Sequence, residues 1–162
     1  MILLINAAFL LTTHLVMTTA LNIVDWRNQT TYWDARTGGI YALVLHHTVT
    51  PTAQGTLDVL NTRRLSIHYI ADKNGTIYQT VDEANRAWHT GTGVWGNFVD
   101  MNDVSVGIEI VNSGDEPFPE VQEMAVAALS KAIVGRYGIL PKNIVSHADF
   151  DPRNKEDVSG YF

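Results

Sequence analysis

A chain of 162 residues, 46% hydrophobic and 17% charged, is long enough for one domain with a sizeable core and too apolar for intrinsic disorder. Its net charge of -6 with histidines neutral, and its lack of a Lys/Arg cluster, exclude the basic surface that a nucleic-acid partner needs. It contains no Cys, which excludes a disulfide framework and thiolate ligands, so any metal must be held by His, Asp or Glu.

Residues 1–21 (MILLINAAFLLTTHLVMTTAL) carry no charge, but Asn6, His14 and several Thr interrupt them. A stable membrane span, which needs about 20 predominantly apolar residues, is therefore not expected. The stretch reads as a secretion signal with a small-residue cleavage site near Thr18-Thr19-Ala20, although the usual basic start is missing. The expected organisation is a signal or apolar N-terminal segment over 1–21 and one folded domain over 22–162. The expected location is secreted or periplasmic, or cytoplasmic if the segment is not a signal.

After Gly38-Gly39, residues 41–47 (YALVLHH) read as a strand buried on both faces. Residues 54–64 read as a short helix. Residues 67–71 and 76–81 read as two strands of a hairpin turning through Asp72-Lys73-Asn74-Gly75, because Asn-Gly tolerates positive φ. Residues 83–103 are Gly- and Trp-rich without periodicity and read as a long functional loop. Residues 104–111 (VSVGIEIV) form the next strand. Residues 119–136 show a helical stripe of Val121, Met124, Ala125, Ala128, Leu129, Ala132 and Ile133, with Pro119 at the first helical position and Gly138 as the stop. Residues 143–146 form a short strand or turn into His147, followed by a polar tail. Strands interleaved with helices imply an α/β domain, a mixed central β-sheet flanked by helices.

The histidines carry the chemical signal. His46 and His47 end a buried strand, and alternation points them to opposite faces, so only one of the two can serve a given site. Two His and one carboxylate with an open fourth position is the ligand set of a catalytic zinc, and His147 with Asp157 could complete it. A core histidine and a solvated aspartate fit the same spacing. Glu109 stands inside an apolar strand, where burial raises a carboxyl pKa and suits it to general acid–base work. A half-exposed strand face or an Arg partner would account for it equally.

Together, Leu45-His46-His47-Thr48, Ser66-Ile67-His68-Tyr69-Ile70, Asp72 to Gln79, Arg86-Ala87-Trp88-His89-Thr90-Gly91, Asn102 to Glu109, and Ser146-His147 through Lys155-Glu156-Asp157 resemble, in order and spacing, the amidase type 2 family. That group comprises AmpD-type N-acetylmuramoyl-L-alanine amidases and the peptidoglycan recognition proteins. The resemblance covers roughly residues 23–160. It implies a zinc ion (Zn2+) held by His46, His147 and Asp157, with Glu109 catalytic and Lys155 stabilising the transition state. It also implies a substrate groove bordered by Trp88 and His89. The implied partners are peptidoglycan or muropeptides, met by a monomer. By alternation His47 packs on the far strand face; His68 makes a structural or ligand-supporting hydrogen bond, and Trp95 is a sugar or peptide platform or a loop anchor. Val158-Ser159-Gly160 departs from the Pro-Gly that often follows the last ligand in the family. The alternative is a non-catalytic peptidoglycan-recognition module, which would lack a zinc ligand or the Glu109 carboxylate; a zinc peptidase cutting other amides is a third reading.

Overall fold

The computed structural model describes residues 20–153, Lys155 and Asp157. The expected secretion signal lies outside these residues except for Ala20 and Leu21, and so do Val158, Ser159 and Gly160. The chain opens with two short strands, β1 (Ile23–Asp25) and β2 (Trp33–Ala35), that sequence periodicity does not reveal. Strand β3 (Ala42–His47) leads to helix α1 (Ala53–Thr62), whose Thr52 cap accepts a hydrogen bond from the Gly55 N–H at 3.1 Å. Strands β4 (Tyr69–Ala71) and β5 (Ile77–Gln79) pair antiparallel as the hairpin signal requires. Only Gly75, at φ +82°, is left-handed in that turn, while Asn74 contributes its side-chain Oδ1 as acceptor for the Thr76 N–H.

The stretch read as a long loop contains strand β6 (Asn85–Ala87), paired with β2, and a short helix α2 (Met101–Val104) that runs straight into β7 (Ser105–Ile110). Arg36 stitches this region together by donating to the carbonyls of Glu83, Asn85, Asp103 and Ser105. Helix α3 (Glu120–Tyr137) follows, with Pro119 as its extended N-cap rather than its first helical residue and Gly138 at φ +64° as its stop. Strand β8 (Ile144–Ser146) and the short helix α4 (His147–Phe150) close the described chain.

The main sheet has the order β1-β5-β4-β7-β3-β8, parallel except for the β4–β5 hairpin, so it is mixed as expected. One face packs on α3 through Leu43, Ile108, Ile110, Val126, Leu129 and Ile133. The other packs on α1 through Ile70, Ile67 and Leu57. Among the described residues, no helix is long and apolar enough to cross a membrane.

The buried stripe of α3 differs from the expected one. Val121 and Met124 are 53% and 54% exposed, whereas Gln122 is fully buried beside Val126, Leu129 and Ile133. The reason is polar: the Gln122 amide donates to the carbonyls of Ala71 and Val111, at 2.9 and 2.8 Å, where β4 and β7 end. Gln122 supplies the Val111 carbonyl with a donor and adds a second to the Ala71 carbonyl, which also accepts the Val111 N–H at 2.9 Å, and this turns the helix away from its purely apolar register.

Candidate functional site

Strand alternation builds the site. Leu43 and Leu45 on β3, and Val106, Ile108 and Ile110 on β7, point toward α3. Residues between them, His46 on β3 and Ser105, Gly107 and Glu109 on β7, therefore share the opposite face. His46 and Glu109 are register partners, which sets them side by side. His147 reaches the same place from β8: its neighbour Ser146 forms a capping box with Asp149, fixing His147 as the first residue of α4. Of the two histidines that alternation left open, His46 is the one that stands beside His147 and Asp157.

His46 Nδ1 lies 3.0 Å from His147 Nδ1 and 3.1 Å from Asp157 Oδ2, and the last two atoms are 3.6 Å apart. Four-coordinate zinc with bonds of about 2.0–2.1 Å separates its ligand atoms by about 3.3 Å, so this triangle has the right size. The chemistry of the donor set also fits. His46 is 2% exposed, and burial pushes its pKa down to about 4, so the ring is neutral and offers a lone pair. Burial pushes the Asp157 carboxyl up, but the imidazoles beside it, His147 and then His46, outweigh it and hold the group well below the usual carboxylate range. Two imidazoles and one carboxylate form a cluster that can hold a metal ion.

Glu109 is half-buried as a residue, but its Oε2 is sealed from solvent and has no hydrogen-bond partner among the described residues. Burial, reinforced by the charge of Asp157 and opposed by Lys155, pushes its pKa up to about 8. The strand face is half-exposed at Glu109, as one reading had it, yet its Oε2 is enclosed, and no Arg pairs with it among the described residues. A cavity of about 960 Å³ exposes His46, His147, Asp157, Glu109 and Lys155 together, with Arg63 and Arg153 also on its wall. A second cavity of about 460 Å³, beside Arg27, Trp33 and Asp82, holds none of the expected site residues.

The residues expected at the groove separate. His89 also lines the large cavity but is 8% exposed and sits directly behind His46, its Nδ1 3.0 Å from His46 Nε2. Burial, then the nearby His46, His68, His147 and Arg36, hold its pKa well below the usual histidine value. Trp88 is half-buried, its ring beneath the Arg86 guanidinium at 4.0 Å and its backbone N–H donating to Ser66 Oγ. His68 is structural: its Nδ1 accepts the Gly107 N–H at 3.0 Å and its Nε2 faces the Asn85 carbonyl. Trp95 anchors its loop by donating to the Lys142 carbonyl. Sequence reasoning missed Asn102, whose Oδ1 accepts the N–H groups of both His89 and Thr90, and Ser105 beside the His89 ring. Asn and Ser are too common in loops and caps to stand out without a structure.

Comparison with known proteins adds kinship. Residues 36–159 match the model of the N-acetylmuramoyl-L-alanine amidase family. The chain is 35% identical over 139 residues to N-acetylmuramoyl-L-alanine amidase AmiD of Escherichia coli (strain K12), covering 76% of this chain and 50% of that protein. It is 35% identical over 100 residues to 1,6-anhydro-N-acetylmuramyl-L-alanine amidase AmpD of Haemophilus influenzae, covering 61% and 54%. Among solved structures, it is similar to the complex of AmiD from E. coli with anhydro-N-acetylmuramic acid-L-Ala-D-gamma-Glu-L-Lys. The identity is 34%, the TM-score 0.71, and the coverage 80% of this chain and 57% of that one. The chain spans about half the length of the curated relatives it matches.

Proposed function

The chain belongs to the N-acetylmuramoyl-L-alanine amidase family, and from that premise we propose that it is a zinc-dependent hydrolase of the amide joining the muramic acid lactyl group to L-alanine in peptidoglycan. The observation that carries this reading is the convergence of His46 Nδ1, His147 Nδ1 and Asp157 Oδ2 in the same cavity as Glu109 and Lys155. A bound zinc ion supplies Lewis-acid polarisation of the scissile carbonyl and acidifies water. The Glu109 carboxylate takes the proton of the attacking water and returns it to the departing L-alanine nitrogen. Burial raises its pKa in the metal-free protein; the charge of a bound zinc would lower it again, leaving a carboxylate able to take and return a proton near neutral pH. The Lys155 ammonium stabilises the negative charge that develops on the carbonyl oxygen. Arg63 and Arg153 give the cavity wall positive charge suited to the carboxylates of a stem peptide.

The composition of residues 1–21 supports export, with the mature domain starting near residue 22. Mass spectrometry of the native protein should find an N-terminus near Leu21, and an intact Met1 would argue against it. For the reaction itself, incubation with a muramoyl-L-alanyl peptide should release a peptide whose first residue is L-alanine. Binding of that ligand without any cleavage, by folded and zinc-loaded protein, would instead indicate a recognition module.

A further inference from the structure

Four residues form a directed chain of hydrogen bonds that ends on the metal cluster. The Ser105 hydroxyl donates its single proton to the Met101 carbonyl at 2.5 Å. Its oxygen can then only accept from His89 Nε2, 3.4 Å away. A proton on His89 Nε2 leaves Nδ1 of that ring as an acceptor, and His46 Nε2 lies 3.0 Å from it. His46 must therefore carry its proton on Nε2, which leaves the lone pair of Nδ1 directed at His147 and Asp157.

The surroundings hold His89 to this position from the other sides. Asn102 fixes its backbone N–H at 2.7 Å. Gly107 leaves room for its ring: a Cβ there would stand 2.6 Å from both His89 Cε1 and Nδ1. The same arrangement is not repeated at the second histidine, since His147 Nε2 is buried without a hydrogen-bond partner among the described residues.

We infer that His89 and Ser105 are positioning residues that lock the His46 ring in the Nε2–H tautomer and so prepare its Nδ1 to ligate a divalent cation. This inference rests on the metal site of the proposed function. Ligand histidines commonly give their second N–H to a carboxylate or carbonyl, and loss of such a partner weakens metal binding by roughly 10–100-fold. Here a second imidazole takes that role, and a serine sets its polarity. His89 thereby stands behind a ligand rather than against substrate.

The test uses the full chain and two readouts besides turnover. In 15N-labelled wild-type protein, a scalar coupling across the hydrogen bond should connect His46 Nε2 with His89 Nδ1, and the shared proton should reside on His46. Competition with a chelator should show zinc affinity falling roughly 10–100-fold in His89→Ala and less in Ser105→Ala. His89→Asn should restore it, because its Oδ1 can accept where Nδ1 did. Absence of the coupling in wild type would overturn the inference even if the alanine variant fails to fold. Unchanged zinc affinity in His89→Ala, or an asparagine variant as weak as the alanine one, would overturn it as well. A wild-type protein that shows the coupling but holds no zinc would support the lock and refute the metal-dependent reading of the site.

Discussion

Replacing Glu109 with glutamine should stabilise the metal-free protein while removing its activity. Folding raises the Glu109 pKa from an ordinary 4.5 to about 8. Between those values the folded chain holds a proton that the unfolded chain has lost. Stability therefore falls as pH rises from 4.5, and the loss is complete above about 8. At 1.36 kcal/mol per pH unit, the interval from 4.5 to 7 corresponds to at most about 3 kcal/mol of native-state penalty at pH 7. Glutamine keeps the shape and has nothing to ionise. Urea denaturation of chelator-treated wild type and Glu109→Gln should give nearly equal stabilities near pH 4.5 and a growing advantage for the variant toward pH 8. The same substitution should lower kcat by roughly 10²–10⁴-fold, the usual contribution of a general base. A variant no more stable than wild type at pH 7, or an advantage that does not grow with pH, would refute the argument that Glu109 is held in a desolvated site for its chemistry.

His68 gives the opposite trend. Burial and then the Arg36 charge push its pKa down to about 4 from 6.5, so below pH 6.5 the unfolded chain binds the extra proton. Stability should decline by about 3 kcal/mol from this group as pH falls from 6.5 to about 4. Because His46 and His89 give the same trend, the His68 share is read by denaturation as the difference between Glu109→Gln and Glu109→Gln/His68→Asn, and equal slopes for the two would show it to be wrong. Gln122→Ala should cost about 1–3 kcal/mol, chiefly by taking the donor from the Val111 carbonyl, since the Ala71 carbonyl keeps the Val111 N–H, and should not change zinc affinity. A change under 0.5 kcal/mol in thermal or urea unfolding would contradict that assignment. His46→Ala should abolish stoichiometric zinc binding by atomic absorption, and His47→Ala should leave it intact; the reverse would put the site on the wrong face of β3.

Much of this was legible because apolar periodicity and turn chemistry act locally. The strand ending at His46-His47, the Asp72–Gly75 turn and the strand bearing Glu109 all follow from short-range pattern. The three-residue strands β1, β2 and β6 left no such trace, since pairing rather than sequence period defines them. The α3 stripe was misplaced because a buried amide bonding to strand-end carbonyls looks polar in sequence. At the site, resemblance supplied the ligand set that spacing alone left open. The role of His89 stayed hidden because it depends on which atom of a ring faces which, and that requires Ser105 and Gly107 in place. The binding roles expected of Trp88 and His89 came from the resemblance and their loop position; the structure sets Trp88 under Arg86 and His89 behind His46, on the wall of the large cavity.

The central claim is that one zinc ion, held by His46, His147 and Asp157, is needed for cleavage of the muramoyl–L-alanine amide. The most direct measurement strips the full-length protein with a chelator, returns zinc stepwise, and follows release of the L-alanyl peptide from a muropeptide by mass spectrometry. The expected result is no release from stripped protein and recovery that saturates at one zinc per chain. Full release by metal-free protein, or none at any zinc loading, would contradict it.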